Sequence, residues 1–535
     1  MRKTGLFAAL FLLACAKGQN PAHPAIIVYQ SVESGLSRLY ATPETPGSNG
    51  AALTPSGVRA AFCGAVGGSA VVYALVGDDA SVNGLHLVNL DGSGETALAS
   101  LSAGTWTSSS GAWRTADGSI VVQLSRVDGK GPELLAIKDG AVTSLALGRF
   151  LALSGNRIAY LANASGAANV GDIRSVAADA NGNLAIGGGD GDDDFHGVVS
   201  EKLIFTAHHA GAAPELRIAA ADGAGVLARA GSKGLLLSGN TVVAARADRF
   251  EKVGLDLFVK PVSLLSGAQV LALLPDGRVA GFVKGAGVMA DGQVLDDFSA
   301  DTVVAAHAFS DRLVYTANNF TGSYLRSARL DAGGAVTLSE GHGQELLFES
   351  ELPGDRVLFY RTKATEPGGW LSTVSLGGGG ERVVGDDLTG TRKAADQDFG
   401  GVTRAGRLIF EAELEEGTAP GLFIVEPGGE VRSLTAPGTS ATLSALVESS
   451  PRTEERKAAH APSRPSCPRT CRRSGAGRRP RSRYALDRFA RGAECGHRAR
   501  DRRRHRFEQR CHLDRRQHGY LRHQRQRGLD ADRER

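Results

Sequence analysis

The sequence predicts an all-β protein, a β-propeller of four-stranded blades, and three observations carry that prediction. One strand signature returns ten times. Most copies are followed by two further strands around a Gly-containing turn. No convincing run of helical periodicity intervenes. The clearest copies are RIAYLANASG from Arg157, KLIFTAHHAG from Lys202, RLVYTANNFTG from Arg312, RVLFYRTKATEPGG from Arg356 and RLIFEAELEEGTAPG from Arg407. Each reads as a basic residue, apolar β-branched or leucine positions, an aromatic, and a polar loop usually ending in Gly. Weaker copies begin at Ile26, Val71, Ser119, Thr241 and Arg278. Tyr29, Tyr73, Val122, Tyr160, Phe205, Ala244, Gly281, Tyr315, Phe359 and Phe410 are equivalent positions, spaced by roughly 42 residues on average, within the range of propellers and arrays.

Each strand has its own justification. The signature strand is a short apolar run rich in β-branched and aromatic residues. The strand after it is seen in PELRIAAADGAGVLARAG from Pro214 and PGLFIVEPGGEVRSLTAPG from Pro420. There Asp222-Gly223 and Gly428-Gly429 supply the positive φ of a tight hairpin before a further strand. A fourth strand precedes the signature, as in FLALSGN before Arg157 and GLLLSGN before Thr241. Four short strands in about 42 residues make one blade, whose apolar faces only its neighbours can cover. Eight to ten such units are expected, in one ring or two. The Ala244 and Gly281 copies lack the aromatic, and the short step from Gly281 to Tyr315 leaves little room for four strands.

The order of strand, SGN or DG turn, basic-apolar-apolar-aromatic strand, Gly loop, and LF-V or LR-A strand resembles a TolB-like propeller blade. It extends over about residues 26–445, within a propeller repeat region of 26–448. The resemblance implies a fold and leaves the activity open.

The first 15 residues, MRKTGLFAALFLLAC, set Arg2 and Lys3 ahead of an apolar run from Gly5 to Ala14. That run is too short to cross a bilayer and fits the core of a secretion signal. Its end, Leu12-Leu13-Ala14-Cys15, resembles the lipobox of bacterial lipoproteins. The resemblance implies cleavage before Cys15, its acylation, and stable anchoring by several acyl chains. Ala16 after the cysteine implies sorting to the outer membrane of a two-membrane bacterium, facing the periplasm or the exterior. An ordinary signal peptide with a chance cysteine is the alternative. Residues 16–25, AKGQNPAHPA, carry two Pro and no apolar pattern, and read as a tether.

Charge divides the chain. Residues 451–535 hold 26 Arg, one Lys and ten acidic residues, a net of +17. The remaining 34 basic and 47 acidic residues give the body a net of −13, which argues against nucleic acid as its partner. Cysteine divides the same way: Cys15 and Cys63 precede residue 451, and four others lie in the tail. Cys63, in AAFCGAV, reads as a small buried hydrophobe, and a body with so few cysteines has no disulfide framework.

One local cluster suggests chemistry. GGGDGDDDFHG (residues 187–197) folds back on TAHHAG (residues 206–211) if the intervening turn lies at Ser200-Glu201. The register then sets Asp193 near His208 and Asp192 near His209, to within a residue. Carboxylates and imidazoles at one rim are transition-metal donors, and the acidic loop alone suits Ca²⁺. A solvated acidic loop beside exposed histidines is the plainer reading, and no cofactor is expected. The DANGN stretch from Asp179 reads as a hairpin turn, and Trp106, Trp113 and Trp370 as packing residues. No nucleophile elbow, H-E-x-x-H or phosphate-cradling loop is present in the sequence.

The repeat stops near Ser449, and an Arg-rich stretch without strand or helix periodicity follows. A disordered basic tail, a zinc module built on its four cysteines, and a slipped reading frame are the three readings. On the third, Ala441 opens a blade that this chain does not finish, leaving two neighbours uncovered. The function expected is a non-catalytic, lipid-anchored envelope propeller that binds a protein, peptide or glycan. The alternative is an envelope hydrolase or lyase with its site in the central funnel. Converging His, Asp, Glu or Arg side chains there would favour the enzyme; small and apolar ones would favour binding.

Overall fold

The computed structural model describes residues 24–448 apart from 34, 46–49, 164–168, 188–192, 210, 248, 265–266, 363–368, 386–395, 414–419, 428 and 436–438. The chain divides into a body, Met1–Ala459, and a second unit, His460–Arg535, which lies wholly outside the described residues. Cys15 and the tether before residue 24 lie outside them too.

All regular elements among the described residues are strands, arranged as ten antiparallel four-stranded blades. Blades 4 and 5 join into one eight-stranded sheet through a short pairing of Gly171 with Asp193 and Val170 with Asp194. Every signature strand is the second strand of a blade: Ile26–Glu33 in blade 1, Lys202–Ala207 in blade 5, Leu408–Glu413 in blade 10. The SGN segments form the innermost strands, Arg149–Ser154 in blade 4 and Lys233–Ser238 in blade 6. The copies lacking the aromatic are complete blades. Blade 7 fits into its short repeat with strands of four and five residues, and Leu264 stands where a side chain at Gly281 would be. Gly223 and Gly429 take the predicted positive φ, +76° and +91°.

The ring is single and closed. Ten separate apolar clusters lie one at each junction between consecutive blades, from blades 1 and 2 around to blades 10 and 1. The signature aromatics Tyr73, Tyr315, Phe205, Phe359 and Phe410 are among the largest fully buried side chains. Each such side chain contributes about 1.5–3 kcal/mol relative to exposure, which ties blade to blade.

Closure corrects the expectation of an unfinished blade. The strand Ser440–Val447 pairs antiparallel with Ile26–Glu33, with Leu443 opposite Tyr29 and Val447 opposite Ile26. It is therefore the innermost strand of blade 1, whose other three strands come from the N-terminal end of the body. Ala441 is buried in the cluster that joins blade 10 to blade 1, so the neighbours are covered.

Candidate functional site: the inner wall of the ring

The innermost strands border the centre of the ring. Their outer edge is taken by the second strand, and neighbouring blades cover the sheet faces, so side-chain surface still open on them faces the central channel or its mouths. All ten innermost strands carry a β-bulge against the second strand. In eight of them, the bulge falls between the signature position and the residue before it; blades 3 and 8 place it closer to the end of the second strand. A bulge bends its strand and re-aims side chains, as expected where ten sheets must converge on one axis.

Two of the bulged residues lean on the next innermost strand. Cys63 hydrogen-bonds Ser109 of blade 3 and is buried, which pushes its thiol up to about 12. It is a packing residue, not a nucleophile. The His196 ring lies where a side chain on Gly234 of blade 6 would be. At the same level Leu235 (42% exposed) and Val304 (54% exposed) hold apolar surface open to the channel. Ser108, Ser110, Gln269, Thr302 and Thr442 are among the exposed polar side chains on the innermost strands.

Between blades, a polar side chain from one signature strand caps an amide of the next innermost strand. Gln123 Oε1 accepts from the Phe150 N–H at 2.6 Å, Thr206 Oγ1 from Gly234 at 2.9 Å, and Glu411 Oε1 from Leu443 at 2.8 Å. All three directly follow the signature position (Val122, Phe205 and Phe410). These bonds explain polar residues buried at blade junctions, where an unpaired amide would be costly. The only sequence signal for them is a polar residue recurring one place after the signature position.

In blade 5 the predicted cluster forms with a changed register. Continued straight from its turn, the pairing of Val199 with Lys202 would set Asp193 opposite His208. The bulge at His196 shifts it by one, so that Asp194 pairs with Thr206. That puts Asp194, rather than Asp193, on the sheet face shared by Thr206 and His208; His208 reaches it diagonally at 3.1 Å, and Lys233 of blade 6 stands 3.3 Å from the same oxygen. Burial pushes Asp194 up, but the hydrogen bonds from His208 and Lys233 hold it below the ordinary carboxylate value. Asp193 is buried, with Oδ2 3.4 Å from the Ile173 amide nitrogen. His209 meets Arg217 at 2.9 Å, and Asp192 lies outside the described residues. No group of three His, Cys, Asp or Glu side chains able to hold a metal occurs among the described residues. His196, hydrogen-bonded to Thr206 at 2.7 Å, is lowered to about 4 by burial.

Blades 9 and 10 carry a second ionisable group that the sequence reading did not single out. Glu349 is the unpaired bulge residue of Leu346–Leu352, and Asp398 and Glu411 face each other across the Asp398–Glu411 ladder pair. Burial, and then the charge of Asp398, push Glu349 up to about 7; burial also raises Glu411.

The other sequence candidates have structural places. DANGN is the hairpin turn expected, with Asp179 Oδ1 accepting from the Asn181 amide. Trp106 donates to Glu133, and Trp113 stacks on Phe150 at a blade junction.

No family model matches the chain, and no curated protein does. Solved structures with related architecture include a eukaryotic initiation factor (9% identity, 68% of this chain and 96% of that one, TM-score 0.40). The β-propeller domain of the Trilobed protease from Pyrococcus furiosus is 10% identical over 62% of this chain and 96% of that one, with TM-score 0.29. An oligogalacturonate lyase from Vibrio parahaemolyticus is 10% identical over 75% and 98%, with TM-score 0.29. None of the three bears on what this chain does.

Proposed function

We propose that this chain is a lipid-anchored envelope propeller that binds a protein, peptide or glycan at the inner wall of its ring without transforming it. One observation supports this reading above the others: among the described residues, Leu235 and Val304 are the large apolar side chains left exposed on innermost strands. Burying that surface under a ligand is favourable, and the hydroxyl and amide side chains around it can orient what binds.

The proposed anchor would also orient the ring. Ile26 and Val447 pair, so the body begins and ends at the same end of the ring, that of the turns joining innermost to second strands. A ten-residue tether from Cys15 reaches at most about 35 Å. It would hold that end toward the membrane, leaving the opposite mouth free.

A photo-reactive residue at position 235, introduced into the full chain in cells, tests the reading. The expected outcome is a discrete adduct on protein that sediments with membranes, and loss of that sedimentation in Cys15→Ser. No adduct at 235 or at 304 would contradict binding at this wall. A second reading, acid–base hydrolysis or elimination, is favoured by Glu349, whose raised value suits a general acid near neutral pH. Turnover of a glycan or peptide that Glu349→Gln abolishes, without loss of fold, would establish that reading instead.

A further inference from the structure

The junction between blade 10 and the closing strand differs from its counterparts. Where Gln123 and Thr206 cap the next innermost strand with neutral oxygens, the closing strand is capped by Glu411, an ionisable one. Glu411 stands directly across the ladder from Asp398, and like charges in that position destabilise a sheet. Glu349 of blade 9 adds a third carboxylate, which burial and then the charge of Asp398 push up.

We propose that closure of the ring is proton-linked: these carboxylates hold blade 10 to the closing strand firmly when they carry protons, and release part of that hold when they ionise.

The facing charged groups support this. Ser440–Val447 contributes no titratable side chain, nor does the third strand of blade 10, Gly421–Val425. Glu351 and Glu413 are the other acidic side chains described on the strands bearing Glu349 and Glu411. Among the described residues, three arginines of the seam pair with other carboxylates: Arg404 with Glu448, Arg407 with Glu426 at 2.6 Å and Glu44 at 3.5 Å, and Arg432 with Glu426 at 3.7 Å.

The direction follows from burial. Burial raises Glu349 and Glu411 in the folded chain, while the Leu443 N–H bond acts against it at Glu411. A carboxyl raised on folding contributes stability that is full at low pH. It is lost as pH climbs from the unfolded value, 4.5, through about 7 for Glu349.

Hydrogen exchange on the full chain tests the proposal, comparing residues 440–447 with residues 70–76 of blade 2 at pH 5, 6.5 and 8 after correction for intrinsic rates. Protection of 440–447 should fall at least about tenfold across that range, the factor carried by one pKa unit, while 70–76 stays level. In Glu411→Gln, which reproduces the neutral cap of Gln123, the fall should shrink or vanish. Glu349→Gln provides the independent variant, since no described hydrogen bond depends on that side chain, and it should flatten the upper part of the range. Protection of 440–447 that does not change with pH, or that falls equally in both variants, overturns the proposal.

Discussion

At the residue scale, His196 and Glu349 occupy equivalent bulges and pull stability in opposite directions with pH. His196 is lowered to about 4 by burial, so between pH 4 and 6.5 the unfolded chain binds more protons than the folded one. Its contribution is full above 6.5 and is lost as pH falls through that window, at most roughly 3 kcal/mol. Glu349 gives the reverse slope between 4.5 and about 7. The two overlap, so the melting temperature of the whole protein conceals both. His196→Gln should remove the acid-side loss and leave a net fall in stability from pH 5 to 7, read by thermal unfolding in matched buffers. An unchanged profile would show that His196 is not held neutral. The sequence placed a histidine and carboxylates in this region, but a bulge adds one residue and leaves no compositional mark. For that reason Asp193 was expected where Asp194 stands.

At the element scale, blades meet through apolar clusters and a few desolvated ion pairs. Asp296 of blade 7 is 4% exposed; it accepts from the Tyr315 hydroxyl and pairs with Arg326 of blade 8 at 2.8 Å. Arg326 also lies 4.1 Å from the ring centre of Phe298. Arg326→Met keeps most of the volume but strands a buried carboxylate, and should cost about 3–5 kcal/mol in denaturant unfolding. The double variant Arg326→Met/Asp296→Asn should recover a good part of that loss. Absence of recovery would place the cost in packing against Phe298 instead. The basic residue opening the clearest signatures was visible in the sequence, but its partner was not. Arg312 reaches the Leu376 carbonyl of blade 9 at 3.2 Å, and Arg407 reaches Glu44 of blade 1. Such contacts join residues remote in sequence, and no local pattern encodes them.

At the scale of the whole molecule, the period, the four-strand content and the ten signatures were all legible, because each blade repeats the same local alternation and turns. Ring number was not. It depends on which ends meet, and that is settled by one strand, Ser440–Val447, whose sequence resembles the start of a further blade. Its pairing with Ile26–Glu33 makes the body one ring of ten blades. The seam between Ser440–Val447 and Ile26–Glu33 is what closes the ring, and a cross-link across it can be trapped. Gln30 and Thr442 are register partners across it, and Asp194 and Thr206 are register partners within blade 5. In a chain with Cys63 replaced by Ser, cysteines placed at 30 and 442 should form a disulfide under mild oxidation, identified as one linked peptide pair by mass spectrometry. A 194/206 pair serves as the control. Linkage of the control without linkage of 30 to 442 would contradict the closed ring.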